Sequence, residues 1–303
     1  MAAANQAFRL KGGKVGVLLI HGLAGNPAEV RYVASGLARA GYTVHCPVIA
    51  GHGGTAVDLE ASTWGDWLKS CEVALDELRK ACDVVIVGGL STGAILALML
   101  AAKRPAEVQA TALYSPTLWL SGWSIPLYAK LFCLVRTKRF ASIFRFSDRA
   151  PHGIKDTRVR DVIMTAMRAA DGLQSGLLST PGIAMLEHRR LVAALKPLLG
   201  NITQPALLLH PREDDLAGLD NAYFLQRALK GRVEMTVLDD SYHMITIDRQ
   251  RHLVVERTAA FIAGLATATA AAKAKIELQA RARGAIAARP SPASHEVAAT
   301  AAA

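Results

Sequence analysis

One short segment of the chain has the residue types of a catalytic nucleophile. Gly89-Leu-Ser-Thr-Gly93 places Ser91 between glycines, after one apolar run and before another. This G-x-S-x-G pattern is typical of a nucleophile elbow, a sharp turn from strand to helix that exposes a serine at the edge of a sheet. The alternative interpretation is an ordinary glycine-rich turn. We predict that Ser91 attacks an acyl carbonyl, which requires a base and a carboxylate that orients the base.

Residues of both kinds follow later in the chain. Asp214 lies four residues beyond a predicted strand at 206–210, and His243 lies five residues beyond a predicted strand that ends at Leu238. Parallel strands bring such loops to the carboxyl edge of a sheet, where Ser91 is expected. The chain order Ser, Asp, His is also the order that accompanies this elbow. We therefore predict His243 as the base and Asp214 as the acid.

The acid has competitors close by in the sequence. Asp215 is adjacent to Asp214 and is the main alternative, while Asp239 and Asp240 lie near the histidine. A solvated surface turn would account for any one of these carboxylates without a catalytic role.

Four other histidines are assigned structural positions. His188 and His252 lie in charged helical segments, where exposure to solvent is expected. His21 stands at the end of a predicted strand and His52 in a glycine-rich turn, and both are expected to brace loops by hydrogen bonds.

Acyl transfer also needs donors for the negative charge that develops on the carbonyl oxygen. The backbone N–H of Thr92, next to the nucleophile at a helix start, is one candidate. The second is the backbone N–H of Leu23, in the loop His21-Gly-Leu-Ala-Gly25, where glycines allow close approach of a substrate. We predict these two N–H groups as the oxyanion hole. The predicted reaction needs no metal and no organic cofactor.

The elements that must position these residues alternate between strand and helix patterns, which predicts a mostly parallel sheet in an α/β fold. From about residue 117 to 201 helical periodicity dominates, and no strand is predicted there. Strand patterns then return, and a final helix is predicted over 248–265. Beyond it the chain is rich in alanine, and we expect a disordered or loosely helical tail over 266–303. The predicted strands before the helical segment are 15–20, 42–47, 84–87 and 111–114.

Taken together, several motifs resemble the α/β-hydrolase superfamily, and within it the bacterial carboxylesterase and monoacylglycerol lipase-like enzymes. The resemblance spans about residues 8–265. The motifs that carry it are LLIHGLAGNPAEV, PVIAGHGGT, WGDW, GLSTG, LHPREDD and DDSYHMITID.

The resemblance implies an α/β-hydrolase fold, with an eight-stranded sheet flanked by helices and a helical cap inserted after the sixth strand. It assigns 8–116 and 202–265 to the core and 117–201 to the cap. It also implies that Ser91, Asp214 and His243 hydrolyse carboxylic esters through an acyl-enzyme. A thioesterase or acyltransferase with the same triad is the alternative, and a non-catalytic binding protein is a more distant one. Dehalogenase chemistry is disfavoured, because it would need Asp at position 91.

The excess of positive charge is confined to two segments. The 303 residues carry a formal net charge of +10. Residues 130–170 hold ten Lys and Arg against three Asp, and residues 265–303 hold five Lys and Arg against two Glu, so the remainder is neutral. Aromatic residues accompany the cations of the first segment, which suits contact with an anionic membrane and a lipid-like ester. The alternative is that the aromatics pack the cap and the cations form a solvated face.

Composition excludes several other classes of protein. Four widely spaced cysteines without a CxxC pair argue against a zinc knuckle and a disulfide framework. No apolar run is long enough for a signal peptide or a membrane span, so we expect a cytoplasmic protein, with peripheral contact to the inner membrane surface as a possibility for the cap. Nucleic-acid binding is disfavoured because the charge accompanies no recognition motif. The expected partner is an ester substrate.

Overall fold

The computed structural model describes residues 6–126, 129, 131–147, 150–169 and 179–265. Side-chain positions are described for these ranges except at 147 and 166–169. In chain order the strands are β1 (Phe8–Leu10), β2 (Val15–Ile20), β3 (Thr43–Cys46), β4 (Val84–Leu90), β5 (Ala110–Tyr114), β6 (Arg145–Ser147), β7 (Ser179–Pro181), β8 (Ala206–Pro211) and β9 (Val233–Leu238).

The helices alternate with these strands. In chain order they are α1 (Ala28–Arg39), α2 (Ala56–Ala61), α3 (Trp64–Arg79), α4 (Thr92–Lys103), α5 (Lys138–Ala141), α6 (Thr157–Ala169), α7 (Gly182–Leu195) and α8 (Leu219–Ala228). Two 3₁₀ turns cover Leu131–Leu134 and Lys196–Asn201. Residues 251–259 (α9) are helical and end a compact unit that spans Met1–Ala259.

A second unit begins at Ala260, and its described residues, 260–265, are helical. The predicted alanine-rich tail over 266–303 lies outside the described residues. No helix of the described part of the chain is long and apolar enough to cross a membrane.

The strands form a sheet of the expected α/β type. Seven of them pair in the order β1-β3-β2-β4-β5-β8-β9. All neighbours are parallel except β1, which pairs antiparallel with β3 at one edge. The expected eight-stranded sheet is corrected in this respect, since the described residues contribute seven strands. The segment predicted as a cap accordingly follows the fifth strand, not the sixth.

Burial explains why the central strands read as continuous apolar runs. All residues of β5 and β8 are buried, as are all but the first of β2 and β4. Parallel strands covered by helices on both faces have no solvent-facing side, so alternation of polar and apolar residues disappears. Helix α4 packs in the centre with every residue from Thr92 to Ala101 buried, which explains why the sequence of this helix is apolar on all sides.

The segment between β5 and β8 differs from its prediction in one respect. It contains the strands β6 and β7, which pair antiparallel, so the expectation of no strand there was wrong. Each strand has only three residues, too few for a periodic pattern to show in the sequence. Pro181 stands as the N-cap of α7 with a φ of −60° and a ψ of 141°, so the helix begins at Gly182.

Two glycines at matching helix positions offer a test of how closely α4 packs. Each is the second residue of its helix, Gly93 in α4 and Gly65 in α3. A Cβ added at Gly93 would overlap the backbone carbonyl of Ile20 and lie 2.6 Å from that of His21, whereas one at Gly65 would meet only Thr63 Oγ1 at 3.5 Å.

We expect Gly93→Ala to lower the free energy of unfolding by about 1–3 kcal/mol, because backbone atoms of β2 must move to admit the methyl group. Gly65→Ala is the control and should leave stability unchanged or raise it by up to about 1 kcal/mol. Urea denaturation measures both. Equal effects of the two variants would contradict the close packing of α4 on β2.

Candidate active site

Ser91 occupies a strained turn between β4 and α4. Its backbone has a φ of 56° and a ψ of −114°, a conformation that residues with a side chain rarely adopt. A Cβ at Gly89 would lie 2.5 Å from the carbonyl carbon of Gly93, so only glycine fits there. The Ser91 N–H donates to the carbonyl of Tyr114 at 2.9 Å, which ties the turn to β5. The sequence motif therefore forms the sharp strand-to-helix turn that it predicts.

His243 and Asp214, predicted from separate loops, are in contact. His243 Nδ1 lies 3.0 Å from Asp214 Oδ1 and 2.9 Å from Oδ2, and both residues are buried. Asp214 Oδ1 also accepts the backbone N–H groups of Leu216 and Ala217 at 2.9 and 2.8 Å. Because a carboxylate only accepts, Nδ1 of the ring carries the proton, which leaves Nε2 as the basic nitrogen.

The buried pair shifts the titration of both members. Burial disfavours the charged form of Asp214, but the charge of His243 and the hydrogen bonds to the carboxylate outweigh it and lower the pKa of Asp214. Burial likewise opposes the imidazolium form of His243, yet the carboxylates of Asp214, Asp215 and Glu29 raise its pKa above the usual value. The ring is thus held as a stronger base than a free histidine.

The alternative acids lie elsewhere. Asp215 accepts backbone N–H groups, from Gly153 at 2.9 Å and from His243 at 3.2 Å, and burial raises its pKa. It therefore fixes the histidine loop and not the ring. Asp239 pairs with Arg212 at 2.6 Å and Asp240 with Arg249 at 3.0 Å, in exposed positions.

The predicted oxyanion donors lie next to the nucleophile. Thr92 is the first residue of α4, where backbone N–H groups have no acceptor within the helix. A Cβ at Gly22 would lie 3.7 Å from Ser91 Cβ, which places the loop that contains Leu23 beside the serine. Leu23 and Ser91 line the same cavity. The two loops meet at the edge of the sheet, as the sequence predicts.

The hydroxyl of Ser91 has a partner on the neighbouring strand loop. Its Oγ lies 3.1 Å from Thr117 Oγ1, and that hydroxyl donates to the carbonyl of Ser115 at 3.2 Å. Since a hydroxyl has one proton, Ser91 is then the donor to Thr117. Sequence reasoning did not identify Thr117.

Glu29 is a second residue of the site that sequence reasoning missed. Its Oε2 accepts the backbone N–H of Gly22 at 2.8 Å, and it lines the cavity that contains Ser91 and His243. Burial raises the pKa of Glu29 to about 7. The only signal in the sequence is an acidic residue in the first turn of a helix, which ordinarily indicates a favourable interaction with the helix dipole.

Three of the four other histidines for which the sequence makes a prediction lie as predicted, and one does not. The Nδ1 of His21 lies 2.9 Å from the carbonyl of Gly22 and its Nε2 accepts the N–H of Ile49, while burial lowers its pKa to about 3. His52 lies 3.0 Å from the carbonyl of Ala50, so both brace loops as predicted. His252 is exposed as predicted. The expected exposure of His188 was wrong.

His188 is buried against the nucleophile turn. Its Nδ1 lies 3.0 Å from Thr92 Oγ1, and burial lowers its pKa to about 4. His188 lies on the buried face of α7 together with Ala184 and Leu191, so the charged residues beside it in the sequence do not predict its position.

One cavity is lined by Ser91, His243, Glu29 and Leu23. It has a volume of about 470 Å³, and most of its surface is apolar. Ser91, His243 and the loop after β2 form one wall, and residues between β5 and β8 form another. The larger apolar side chains of the lining are Leu23, Leu90, Leu120, Ile125, Pro126, Phe146, Ile154, Ile163, Met164, Met185, Leu216, Met244 and Ile247. Within the described residues no group of His, Cys, Asp and Glu side chains is arranged to hold a metal ion.

Comparison with known proteins finds relatives among ester-cleaving enzymes. A family profile described as Serine aminopeptidase, S33 (Hydrolase_4) matches residues 14–250. The chain is 29% identical over 259 residues to the thermostable monoacylglycerol lipase of Bacillus sp. (strain H-257), covering 85% of this chain and 94% of the relative. It is 24% identical over 260 residues to a carboxylesterase of Bacillus subtilis (strain 168), covering 85% and 96%.

Solved structures agree with the fold. The structure reported for LipS and LipT, two metagenome-derived lipolytic enzymes, aligns with a TM-score of 0.72 and 27% identity over 86% of this chain and 98% of that chain. A soluble variant of monoglyceride lipase from Saccharomyces cerevisiae, in complex with a substrate analog, aligns with a TM-score of 0.68 and 15% identity over 86% and 91%. These similarities identify an α/β-hydrolase fold.

The electrostatics of the buried pair generate a test that is independent of any activity. We expect the ring of His243 to titrate above the usual 6.5, and Asp214→Asn to lower its pKa by removing the main carboxylate that favours the imidazolium. Asp215→Asn should lower the pKa less, since Asp215 contacts only backbone N–H groups. NMR shifts of the ring Cε1–H of His243 report its pKa in the unmodified chain and in both variants. A larger effect from Asp215→Asn would contradict the assignment of the acid.

Proposed function

Because this chain belongs to the Hydrolase_4 family and is an ester-cleaving serine hydrolase, we propose that Ser91 is its nucleophile, His243 its base and Asp214 the carboxylate that orients the base. Relatives named as lipase and carboxylesterase favour ester hydrolysis over the thioesterase, acyltransferase and non-catalytic alternatives. The observation that carries the proposal is the contact of His243 Nδ1 with Asp214 at 2.9 Å, in the same cavity as Ser91.

The proposed reaction has two halves. Ser91 Oγ attacks the ester carbonyl as its proton passes to Nε2 of His243, and the N–H groups of Leu23 and Thr92 bind the oxygen that becomes negative. Collapse of the tetrahedral intermediate breaks the bond to the alcohol, which receives the proton from His243. Water then attacks the acyl-enzyme with the same base, and the carboxylic acid leaves. Asp214 stays ionised and stabilises the imidazolium in both halves.

The shape and lining of the cavity support an acyl ester as substrate. Its largely apolar wall suits a hydrocarbon chain, whose burial is worth about 0.8 kcal/mol per CH₂ group. Asn26 and Thr180 supply polar groups at the same cavity for a small alcohol such as glycerol. We propose a monoacylglycerol or a similar fatty acyl ester, in line with the monoacylglycerol lipase among the relatives.

The nucleophile is tested by covalent labelling. We expect the unmodified chain to react with a fluorophosphonate probe and to hydrolyse p-nitrophenyl esters, with kcat/KM rising several-fold from acetate to octanoate as more chain is buried. Ser91→Ala should abolish labelling and lower kcat by at least about 10³-fold, since only the binding and oxyanion contributions remain.

Thr117→Ser is the control, because it keeps the hydroxyl beside Ser91 and should label normally. Labelling of Ser91→Ala at the rate of the unmodified chain would rule out this nucleophile. Labelling without hydrolysis of any of the esters would rule out the proposed substrate class.

We also propose that residues 117–201 act as a cap whose outer face contacts an anionic lipid surface. Part of its apolar content is internal: Phe132 is 4% exposed and packs against the rings of Phe144 and Phe146. Other apolar residues nearby are exposed, with Leu134 at 73% and Ile143 at 75%. Exposed apolar side chains beside cations fit a membrane interface. The interleaved cations are Arg136, Lys138, Arg139 and Arg145.

We propose that this contact takes place at the inner face of the cell membrane. A cytoplasmic location agrees with the cysteines, because thiols stay reduced there. All four cysteines are free thiols, and three of them are buried. Residues 127–128, 130, 148–149 and 170–178 of this segment lie outside the described residues, so the surface is defined by its described members.

Vesicle flotation tests the lipid contact. We expect the chain to float with vesicles that contain phosphatidylglycerol and to bind several-fold less to phosphatidylcholine vesicles, because the surface potential attracts the cations. Leu134→Ser with Ile143→Ser should reduce flotation, whereas Val73→Ser, an exposed apolar residue on α3, should not. Equal binding to both vesicle types would support the alternative of a solvated cationic face.

A further inference from the structure

Glu29 makes a contact that the mechanism above does not use. It lies in the first turn of α1, and its carboxylate reaches back over the loop to accept the Gly22 N–H at 2.8 Å. The loop turns tightly between these residues: Gly25 N–H donates to the Gly22 carbonyl at 3.3 Å, and Ala28 N–H donates to Asn26 Oδ1 at 2.9 Å. The carboxylate therefore closes a ring of eight residues.

The loop is shaped around that carboxylate. A Cβ at Gly25 would collide with Glu29 Oε1 and lie 2.5 Å from Oε2, so the backbone of Gly25 rests directly on the acid. On its other side the carboxylate lines the cavity with Ser91 and His243. Such close packing leaves the carboxylate little freedom to leave the Gly22 N–H.

We infer that Glu29 is a positioning residue for the oxyanion hole, which holds the peptide group of Gly22 so that the next N–H, that of Leu23, is directed at the carbonyl oxygen on Ser91. This inference rests on the proposed function. The Gly22 carbonyl, which shares a peptide plane with the Leu23 N–H, accepts the N–H of Gly25 at 3.3 Å and lies 2.9 Å from His21 Nδ1. With Glu29 bound to the Gly22 N–H, both peptide planes that flank Gly22 are held, and the direction of the Leu23 N–H is held with them. A preorganised donor stabilises the transition state because it does not have to reorient during the reaction.

The protonation of Glu29 is compatible with this role. A permanent negative charge beside the oxyanion would oppose the charge that develops there. Burial raises the pKa of Glu29 to about 7, so a large part of the group is neutral near neutral pH. The protonated carboxyl keeps one carbonyl oxygen and can still accept the Gly22 N–H.

The test compares two substitutions of similar size. Glu29→Gln keeps an oxygen acceptor and matches the neutral acid, so we expect kcat within about 3-fold of the unmodified chain. Glu29→Leu fills the same space without an acceptor, so kcat should fall about 10- to 100-fold with KM within about 3-fold, less than the full loss of an oxyanion donor. The inhibition constant of a trifluoromethyl ketone, which forms an oxyanion on Ser91, should rise by the same factor as kcat/KM falls.

A second pair of variants keeps the test decisive if Glu29→Leu does not fold. Gly25→Ala should displace the intact carboxylate and lower kcat about 10-fold or more, whereas in a Glu29→Ala background the added methyl group has space and should cause no further loss. Gly200→Ala, where a Cβ meets no atom within 4 Å, is the control.

The outcomes separate the inference from the proposed function. An unmodified chain that neither labels with a fluorophosphonate nor cleaves esters would overturn the proposed function. An active unmodified chain whose Glu29→Leu variant keeps its kcat, or whose Glu29→Gln variant loses as much as Glu29→Leu, would overturn the positioning role alone. The fraction of protein that a fluorophosphonate finally labels gives the concentration of active sites. Dividing the rate by that concentration separates a lower kcat from a loss of folded protein.

Discussion

The left-handed backbone of Ser91 is the constraint on which the rest of the site depends. Such a conformation costs about 1–3 kcal/mol and persists only where the surroundings enforce it. Here the surroundings are β4 before the serine and α4 after it, both almost fully buried. Because glycines at 89 and 93 allow backbone to approach backbone, helix and strand can pack closely enough to hold the turn. The burial of β4 and α4 in the apolar core thus holds Ser91 in its turn at the edge of the sheet.

The same burial determines the electrostatics around the serine. Burial alone would keep a histidine neutral, as it does for His21, whose pKa falls to about 3. His243 differs because Asp214 contacts its ring and two further carboxylates lie near it. The cost of burying Asp214 is in turn offset by two backbone N–H donors of its own loop. The pKa of His21 is therefore lowered and that of His243 is raised, although both histidines follow strands of the same sheet. The main cause of the difference is Asp214, which lies in the loop after β8.

The sequence was enough to predict those features of the site that follow from local patterns, but not those that depend on contacts between distant parts of the chain. The elbow, the acid loop and the histidine loop each follow a strand with a recognisable pattern, so the sequence alone was enough to predict Ser91, Asp214 and His243 at one edge of the sheet. The contact of His188 with Thr92 joins residues 96 positions apart, and nothing in the charged sequence around His188 indicates it. Glu29 looked like an ordinary residue at a helix start, because its contact with Gly22 depends on how the loop folds back. The two three-residue strands between β5 and β8 are likewise set by pairing across the chain.

The hydrogen bond between Ser91 and Thr117 has to break before Ser91 can attack a substrate, and substrate binding can offset that cost. In the proposed mechanism the serine hydroxyl turns from Thr117 towards Nε2 of His243 before it attacks, and it gives up a neutral hydrogen bond worth about 1 kcal/mol. Free hydrolases often have long or misaligned catalytic hydrogen bonds that shorten only when substrate is bound. Burial of an acyl chain in the apolar cavity supplies more than this amount with only two CH₂ groups, at about 0.8 kcal/mol each. Under that mechanism, the side chains between β5 and β8 that line the cavity contribute to catalysis without touching the reacting atoms, because the binding energy they provide is used to align Ser91.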